Sequence, residues 1–294
     1  MTPEQFISLH QTMPWLTFGI VCILGLVVGS FLNVVIFRLP VMLYKEWKAA
    51  CDEMQDELPK DLPEGRFNLA IPNSTCPKCK SPIKAWQNIP VISYLILKGK
   101  CAKCSAGISS RYPLVELFTG LASMLVLWHF GATWQATMAL VLVWALIALT
   151  MIDIDHKLLP DNLTLPLMWL GLICNINGLY TDLTSAVIGA AAGYLSLWSV
   201  YWAFKLATGK EGMGFGDFKL LAALGAWMGW QQLPMIILLS SLVGAVFGIA
   251  GILLSGKDKE WRIPFGPYLA IAGAIAFFWG EEISGAYLSL TGLN

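Results

Sequence analysis

Long apolar runs, interrupted by glycine, proline and a few clustered charges, dominate the chain. A bilayer core takes about 20 predominantly apolar helical residues, and the first run, Leu16 to Phe37, is long enough before it ends in Arg38-Leu39-Pro40. Later runs predict membrane helices over 112–130, 133–152, 162–180, 184–206, 217–233, 234–254 and 264–280. The pattern therefore predicts an all-α polytopic membrane protein with about eight transmembrane helices. It divides into an N-terminal tail with the first helix (1–37), a hydrophilic loop domain (38–111) and a seven-helix membrane domain (112–294).

Composition agrees with the pattern: 56% of the 294 residues are hydrophobic, 13% are charged and 13 are tryptophan, which excludes an ordinary soluble surface. The net charge of zero conceals an asymmetry. Segment 38–111 alone holds 12 of the 19 Lys and Arg residues. Alternating the predicted helices from an external N-terminus puts 38–111, 153–161, 207–216 and 255–263 in the cytosol. With the flanking helix ends, these faces collect 12, 1, 3 and 3 basic residues, which is all 19. Span parity and charge bias thus agree on external N- and C-termini. Residues 1–15 contain no Lys or Arg, so the basic region of a cleavable signal peptide is not expected there.

Several predicted helices carry glycines four apart: Gly189 and Gly193, Gly225 and Gly229, Gly244 and Gly248. Such spacing suits close helix packing. Leu43 to Leu62 reads either as an amphipathic surface helix or as a solvated one. The chain has no internal repeat and no Gly-x-Gly-x-x-Gly loop, and nothing in it points to nucleic acid.

Two knuckles, Cys76-Pro77-Lys78-Cys79 and Cys101-Ala102-Lys103-Cys104, are separated by 21 residues. On a reducing cytosolic side, four thiolates suit one tetrahedral zinc better than disulfides. Four sulfur ligands leave no open coordination position, so the metal is expected to be structural. Cys22, Cys51 and Cys174 read as small apolar filler.

The acids are the second constellation. Asp153, Asp155 and Asp161 cluster in Ile152-Asp153-Ile154-Asp155-His156-Lys157-Leu158-Leu159-Pro160-Asp161. Asp161, with Asn162 competing, suits a helix N-cap. Asp217 follows Gly212-Met213-Gly214-Phe215-Gly216, where alternating glycines break a helix and allow it to restart. A soluble protein would use Asp217 as a helix cap. Here the helix it opens has only 17 residues before Pro234, about 25 Å against a core of about 30 Å. Asp217 is then expected slightly below the membrane surface, where an ionisable group is costly and points to function. Two carboxylates at short range share one proton, and the pair can activate water and protonate an amide leaving group. A serine or cysteine nucleophile lacks an evident base, because His10 and His129 are expected outside and His156 in a loop.

Six stretches together resemble the bifunctional type IV prepilin peptidases. They are Gly29-Ser30-Phe31-Leu32-Asn33 with Arg38 and Pro40, the four-cysteine segment, Asn88-Ile89-Pro90, Arg111-Tyr112-Pro113-Leu114-Val115-Glu116, the Asp153–Asp161 stretch, and Gly214-Phe215-Gly216-Asp217. The last is similar to the Gly-x-Gly-Asp motif of this family and of presenilin-type proteases. The resemblance implies a bacterial inner-membrane enzyme that cuts the short basic leader from type IV prepilins and pseudopilins, on the cytosolic side. It also implies N-methylation of the new terminus from S-adenosylmethionine. Carried onto this sequence, Asp153 and Asp217 are the catalytic acids, with Asp155 the second choice for the first. Zinc falls on Cys76, Cys79, Cys101 and Cys104. Gly99 matches a glycine linked to methyl transfer, although a turn before the second knuckle explains it equally. Two other classes compete: an ion- or proton-coupled transporter using the same acids, and a membrane scaffold whose acids only cap helices.

Overall fold

The computed structural model describes residues 2–50, 59, 62–63, 65–255 and 264–291. Among these, regular structure is helical: α1 (Pro3–Thr12), α2 (Pro14–Ala50), α3 (Ile92–Ile96), α4 (Arg111–Phe130), α5 (Trp134–His156), α6 (Asp161–Cys174), α7 (Leu183–Thr208), α8 (Phe215–Met228), α9 (Leu233–Ser255) and α10 (Gly266–Thr291). The chain forms two compact units, Met1–Trp144 and Ala145–Asn294, which divide inside α5.

In the first unit α2 packs along α4. Gly29 permits the approach, since a Cβ there would lie 2.7 Å from the Glu116 Cα. Asn33 donates to the Tyr112 carbonyl (3.1 Å). The buried Glu116 carboxylate accepts the Val91 N–H (2.8 Å), next to Asn88-Ile89-Pro90. Arg38, also buried, donates to the carbonyls of Asn68 (2.9 Å) and Pro72 (2.7 Å). Three of the stretches singled out in the sequence therefore touch one another, which explains residues whose chemistry was otherwise unassigned. The first helix runs past its expected end at Phe37 to Ala50. The rest of the expected surface helix, to Leu62, lies almost wholly outside the described residues. An unforeseen helix, α1, opens the chain with a capping box in which Thr2 and Gln5 exchange hydrogen bonds.

In the second unit α7 and α8 make the closest helix pair, with α6 on α8 and α9 on α10. A Cβ at Gly189 would meet the Gly225 backbone, and one at Gly193 would lie 2.7 Å from the Leu221 carbonyl oxygen. Without side chains at these points the two backbones touch, as their spacing predicted. Trp227, fully buried, donates to the Leu167 carbonyl (2.8 Å) and occupies the space over Gly171.

Six helical stretches among the described residues are long and apolar enough to cross a membrane. The other two expected spans, 162–180 and 217–233, correspond to α6 and α8 of 14 residues each, about 21 Å long at 1.5 Å per residue. α6 stops short because the buried Asn175 closes its end. The Asn175 amide donates to the Ala226 and Trp227 carbonyls (2.9 and 3.1 Å), and its oxygen accepts the Tyr180 and Thr181 N–H groups (3.0 and 3.2 Å). These bonds join the C-terminal ends of α6 and α8. Asp161 and Lys219 join their N-terminal ends. The two short helices therefore run parallel, joined at both ends, with α7 connecting them along the chain. The expected tail after residue 280 is instead helical to Thr291, continuing α10 past a kink at Trp279.

Candidate active site

Asp153 lies in the last turn of α5, 5% exposed, and its Oδ2 accepts the N–H of Gly266 at the start of α10 (3.0 Å). Asp217 is the third residue of α8, 6% exposed, and its Oδ2 accepts the Gly214 N–H (3.2 Å). Asp217 is thus not the N-cap, a position held by Gly214. It reaches back from the first turn, where the unsatisfied N–H groups and the helix dipole favour a carboxylate. The two acids are linked by a shared neighbour, Leu159. Leu159 is wedged against both strands of backbone that hold them. A Cβ at Gly216 would lie 2.7 Å from the Leu159 Cβ, and one at Gly266 would lie 2.7 Å from Asp153 Oδ2 and 3.1 Å from the Leu159 methyls. Glycine at 266 lets the Asp153 carboxylate lie against the start of α10, and glycine at 216 leaves room for Leu159.

The remaining acids of the cluster lie elsewhere. Asp155, two residues on, is exposed, because two helical positions turn a side chain by about 200°. Asp161 is not an N-cap, since Pro160 occupies that position without a side-chain bond. Its carboxylate instead takes both of its short contacts from Lys219 Nζ (2.6 and 2.7 Å). Gly266 and Lys219 carry no motif that marks them in the sequence. A lysine two residues after the Gly-x-Gly-Asp acid is the one available hint.

The four cysteines of the first unit converge. Their Sγ atoms all lie within 4.8 Å of one another, with Cys76 and Cys104 at 3.8 Å, and none is in a disulfide. A tetrahedral zinc with Zn–S bonds of about 2.3 Å spaces its sulfurs about 3.8 Å apart, so the cluster fits such an ion. Both knuckles are built alike. The first cysteine donates its N–H five residues ahead, Cys76 to Ser81 (2.9 Å) and Cys101 to Ala106 (2.8 Å). Its carbonyl accepts from the fourth residue on, Lys80 or Ser105 (2.9 Å each). Those residues sit at positive φ, and a short antiparallel bridge, Thr75 with Pro82 and Lys100 with Gly107, closes each turn. The Ser81 hydroxyl and N–H hold the Cys79 thiol down at about 6, and the Cys104 and Lys103 N–H groups lower Cys101. Cys104, despite a favourable bond from the Ala106 backbone, is pushed up to about 11 by desolvation and the neighbouring sulfurs. Four crowded thiolates need a cation to ionise together.

Gly99 precedes the second knuckle with φ +67°, donates to the Tyr94 carbonyl (2.9 Å) and would place a Cβ 2.9 Å from the Tyr94 hydroxyl. The turn and the closeness of Tyr94 together favour glycine here.

Known proteins resemble this chain throughout its length. Residues 23–130 match the bacterial peptidase A24 N-terminal domain, and residues 140–249 match the type IV leader peptidase family. A prepilin leader peptidase/N-methyltransferase of Stutzerimonas stutzeri is 56% identical over all of both chains. The protein of that name from Pseudomonas aeruginosa is 58% identical over 92% of this chain and 93% of its own. The one from Legionella pneumophila is 48% identical over 94% and 96%. No solved structure matches. The transporter reading finds no support among these relatives. Identity of this order along the whole chain, with the two domains in succession, leaves one conclusion: the chain belongs to the type IV leader peptidase family.

Proposed function

We propose that this membrane protein removes the leader of type IV prepilins and pseudopilins and then N-methylates the exposed terminus, with Asp153 and Asp217 as the cleavage acids. The observation that carries the reading is the pair itself. Two nearly buried carboxylates, from the end of α5 and the start of α8, lie on either side of Leu159, and each accepts a glycine N–H. One member is ionised and takes a proton from water, whose oxygen attacks the scissile carbonyl. The other is protonated and delivers its proton to the amide nitrogen as the C–N bond breaks. The glycine N–H groups fix both side chains while leaving each its second oxygen for water or substrate.

The chain lies in the bacterial inner membrane with the acids at the cytosolic face and both termini outside. A basic leader is retained in the cytosol by the charge bias that orients the enzyme, and the apolar stem stays in lipid. Zinc, held by Cys76, Cys79, Cys101 and Cys104, fixes the two knuckles of the first unit. Methyl transfer uses S-adenosylmethionine as donor and is assigned to the segment containing Gly99.

Asp153→Asn and Asp217→Asn in full-length enzyme, assayed on a prepilin, test the cleavage mechanism. Either should abolish leader removal while expression and metal content stay normal. The double variant should be no worse than either single one, as for groups that act as a unit. Substantial turnover by Asp217→Asn ends the two-acid mechanism. Loss in Asp155→Asn with survival of Asp153→Asn moves the first acid by two residues.

A further inference from the structure

In the first unit, the short helix α3 turns its apolar side outward. Ile92, Leu95 and Ile96 stand at positions i, i+3 and i+4 and are 54%, 66% and 65% exposed, whereas Ser93 and Tyr94 are partly covered. Trp86 and Ile89, just before the helix, are exposed as well. A helix on a module surrounded by water shows the opposite pattern, and an apolar face of this kind marks a contact with a partner or a membrane.

Glu116 sets the level at which α3 begins. Val91, its N-cap, has φ +59° and ψ −48°, a strained conformation for a β-branched residue. The Ile92 N–H reaches back across it to the Pro90 carbonyl (2.5 Å), and the Val91 N–H donates to Glu116 Oε2 (2.8 Å). Glu116 lies five residues into α4, about 7.5 Å along its axis, and its Cα lies against Gly29 in the first apolar run. Helical side chains lean toward the N-terminus of their helix, so Val91 sits beside the first two turns of α4. The 20 residues of α4 match the roughly 30 Å of a hydrocarbon core, and these turns are where it enters. Charge agrees with that level. Between Arg66 and Val115 the chain has eight Lys and Arg residues and no Asp or Glu. Lys84 precedes the apolar stretch and Lys98 and Lys100 follow it, all exposed. Lysines in such flanks reach the headgroup layer while the residues between them stay in the apolar zone.

We propose that α3 is an interfacial anchor: Ile92, Leu95 and Ile96 insert among the acyl chains of the leaflet that α4 enters at Arg111. Depth decides between lipid and a protein partner. Apolar side chains level with the first turns of a spanning helix meet acyl chains without any partner being recruited. The anchor gives the four-cysteine module a hold on the bilayer beyond the two helices that flank it. The Gly99 N–H donates to the Tyr94 carbonyl of α3 (2.9 Å), so the turn leading to Cys101 is held at the same surface. The contact stands whether or not that turn takes part in methyl transfer.

The test puts the photo-crosslinking residue p-benzoylphenylalanine in place of Leu95 or Ile96 in full-length enzyme, in vesicles of phosphatidylethanolamine and phosphatidylglycerol. The same residue in place of Leu117, exposed on α4, is the reference for a side chain in lipid. After irradiation and digestion, mass spectrometry should find phospholipid adducts at positions 95 and 96, in yields within about threefold of that at 117. Ile92 on the same face gives the same reading should either variant fail to fold. Unmodified peptide at both positions, beside a labelled position 117, overturns the proposal. So do crosslinks made only to other peptides of this chain or to an added prepilin, which would make the face a protein contact.

Discussion

Lys219 clasps Asp161 through both carboxylate oxygens, at 2.6 and 2.7 Å, and so ties the first turn of α6 to the first turn of α8. The lysine lies two residues beyond Asp217, on the helix that carries the second acid. At the other ends of the same helices, Asn175 makes a matching tie to Ala226 and Trp227. α8 is therefore held against α6 at both ends, which fixes the helix that carries Asp217.

The Asp161–Lys219 pair is only partly buried, with side chains 52% and 26% exposed. Such pairs contribute about 0–1 kcal/mol. Asp161→Asn and Lys219→Met are accordingly expected to reduce prepilin cleavage no more than about fivefold each. Together they should cost little more than either alone, because they remove the same contact. A loss of several hundredfold in Lys219→Met would make the lysine part of the chemistry rather than a tether.

Removing zinc should unfold the knuckles and not the acids. Purified enzyme should hold about one zinc per chain, as four thiolates around one ion require. Cys76→Ser and Cys101→Ser should lose the metal and lower folded yield, because metal binding is linked to folding. Whatever folded protein remains should still cut prepilin, since the cluster and the acids belong to different compact units. Full metal occupancy after all four cysteines are replaced would refute the assignment, as measured by elemental analysis of purified protein.

Gly99 substitutions test whether the two activities separate. A side chain at φ +67° and against Tyr94 strains the turn before Cys101, at a cost of about 1–2 kcal/mol for the left-handed conformation alone. Gly99→Ala, and more so Gly99→Glu, should lower methylation more than cleavage. Zinc content read in parallel distinguishes the routes. Joint loss of zinc and methylation marks damage to the knuckle, and loss of methylation at full zinc content marks a direct role. Equal loss of methylation and cleavage removes Gly99 from the methyl-transfer site.

The α7–α8 contact has no room for a methyl group. Gly225→Ala sets a Cβ into the Gly189 backbone, and overpacking of this kind costs about 1–3 kcal/mol. Thermal unfolding in detergent should show a lower midpoint and, because α8 carries Asp217, reduced cleavage. Gly285→Ala on α10, where a Cβ meets nothing within 4 Å, is the control and should be neutral or slightly stabilising. Equal behaviour of the two variants would contradict the backbone contact.

Much of the molecule is legible in the order of its residues. Helical class and membrane residence follow from apolar run length alone, since unpaired backbone groups cannot be left in lipid. The cysteine cluster follows from spacing and ligand chemistry, and the glycine pairs on α7 and α8 from the closeness that only small residues permit. Asp217 stands out because a carboxylate after a glycine-broken helix start is costly in an apolar chain. Other features depend on contacts between distant residues. Run length could not reveal that α6 and α8 are 14-residue helices, because Asn175 ties the end of α6 to the last carbonyls of α8 and Gly229 turns the chain out of α8. Asp161 and Lys219 are 58 positions apart, and Gly266 reaches Asp153 across 113. Hydrophobic periodicity reports which face is buried and says nothing of what it is buried against. Which of Asp153 and Asp155 turns inward, and which glycines hold the two acids, were decided only when α5, α8 and α10 packed together.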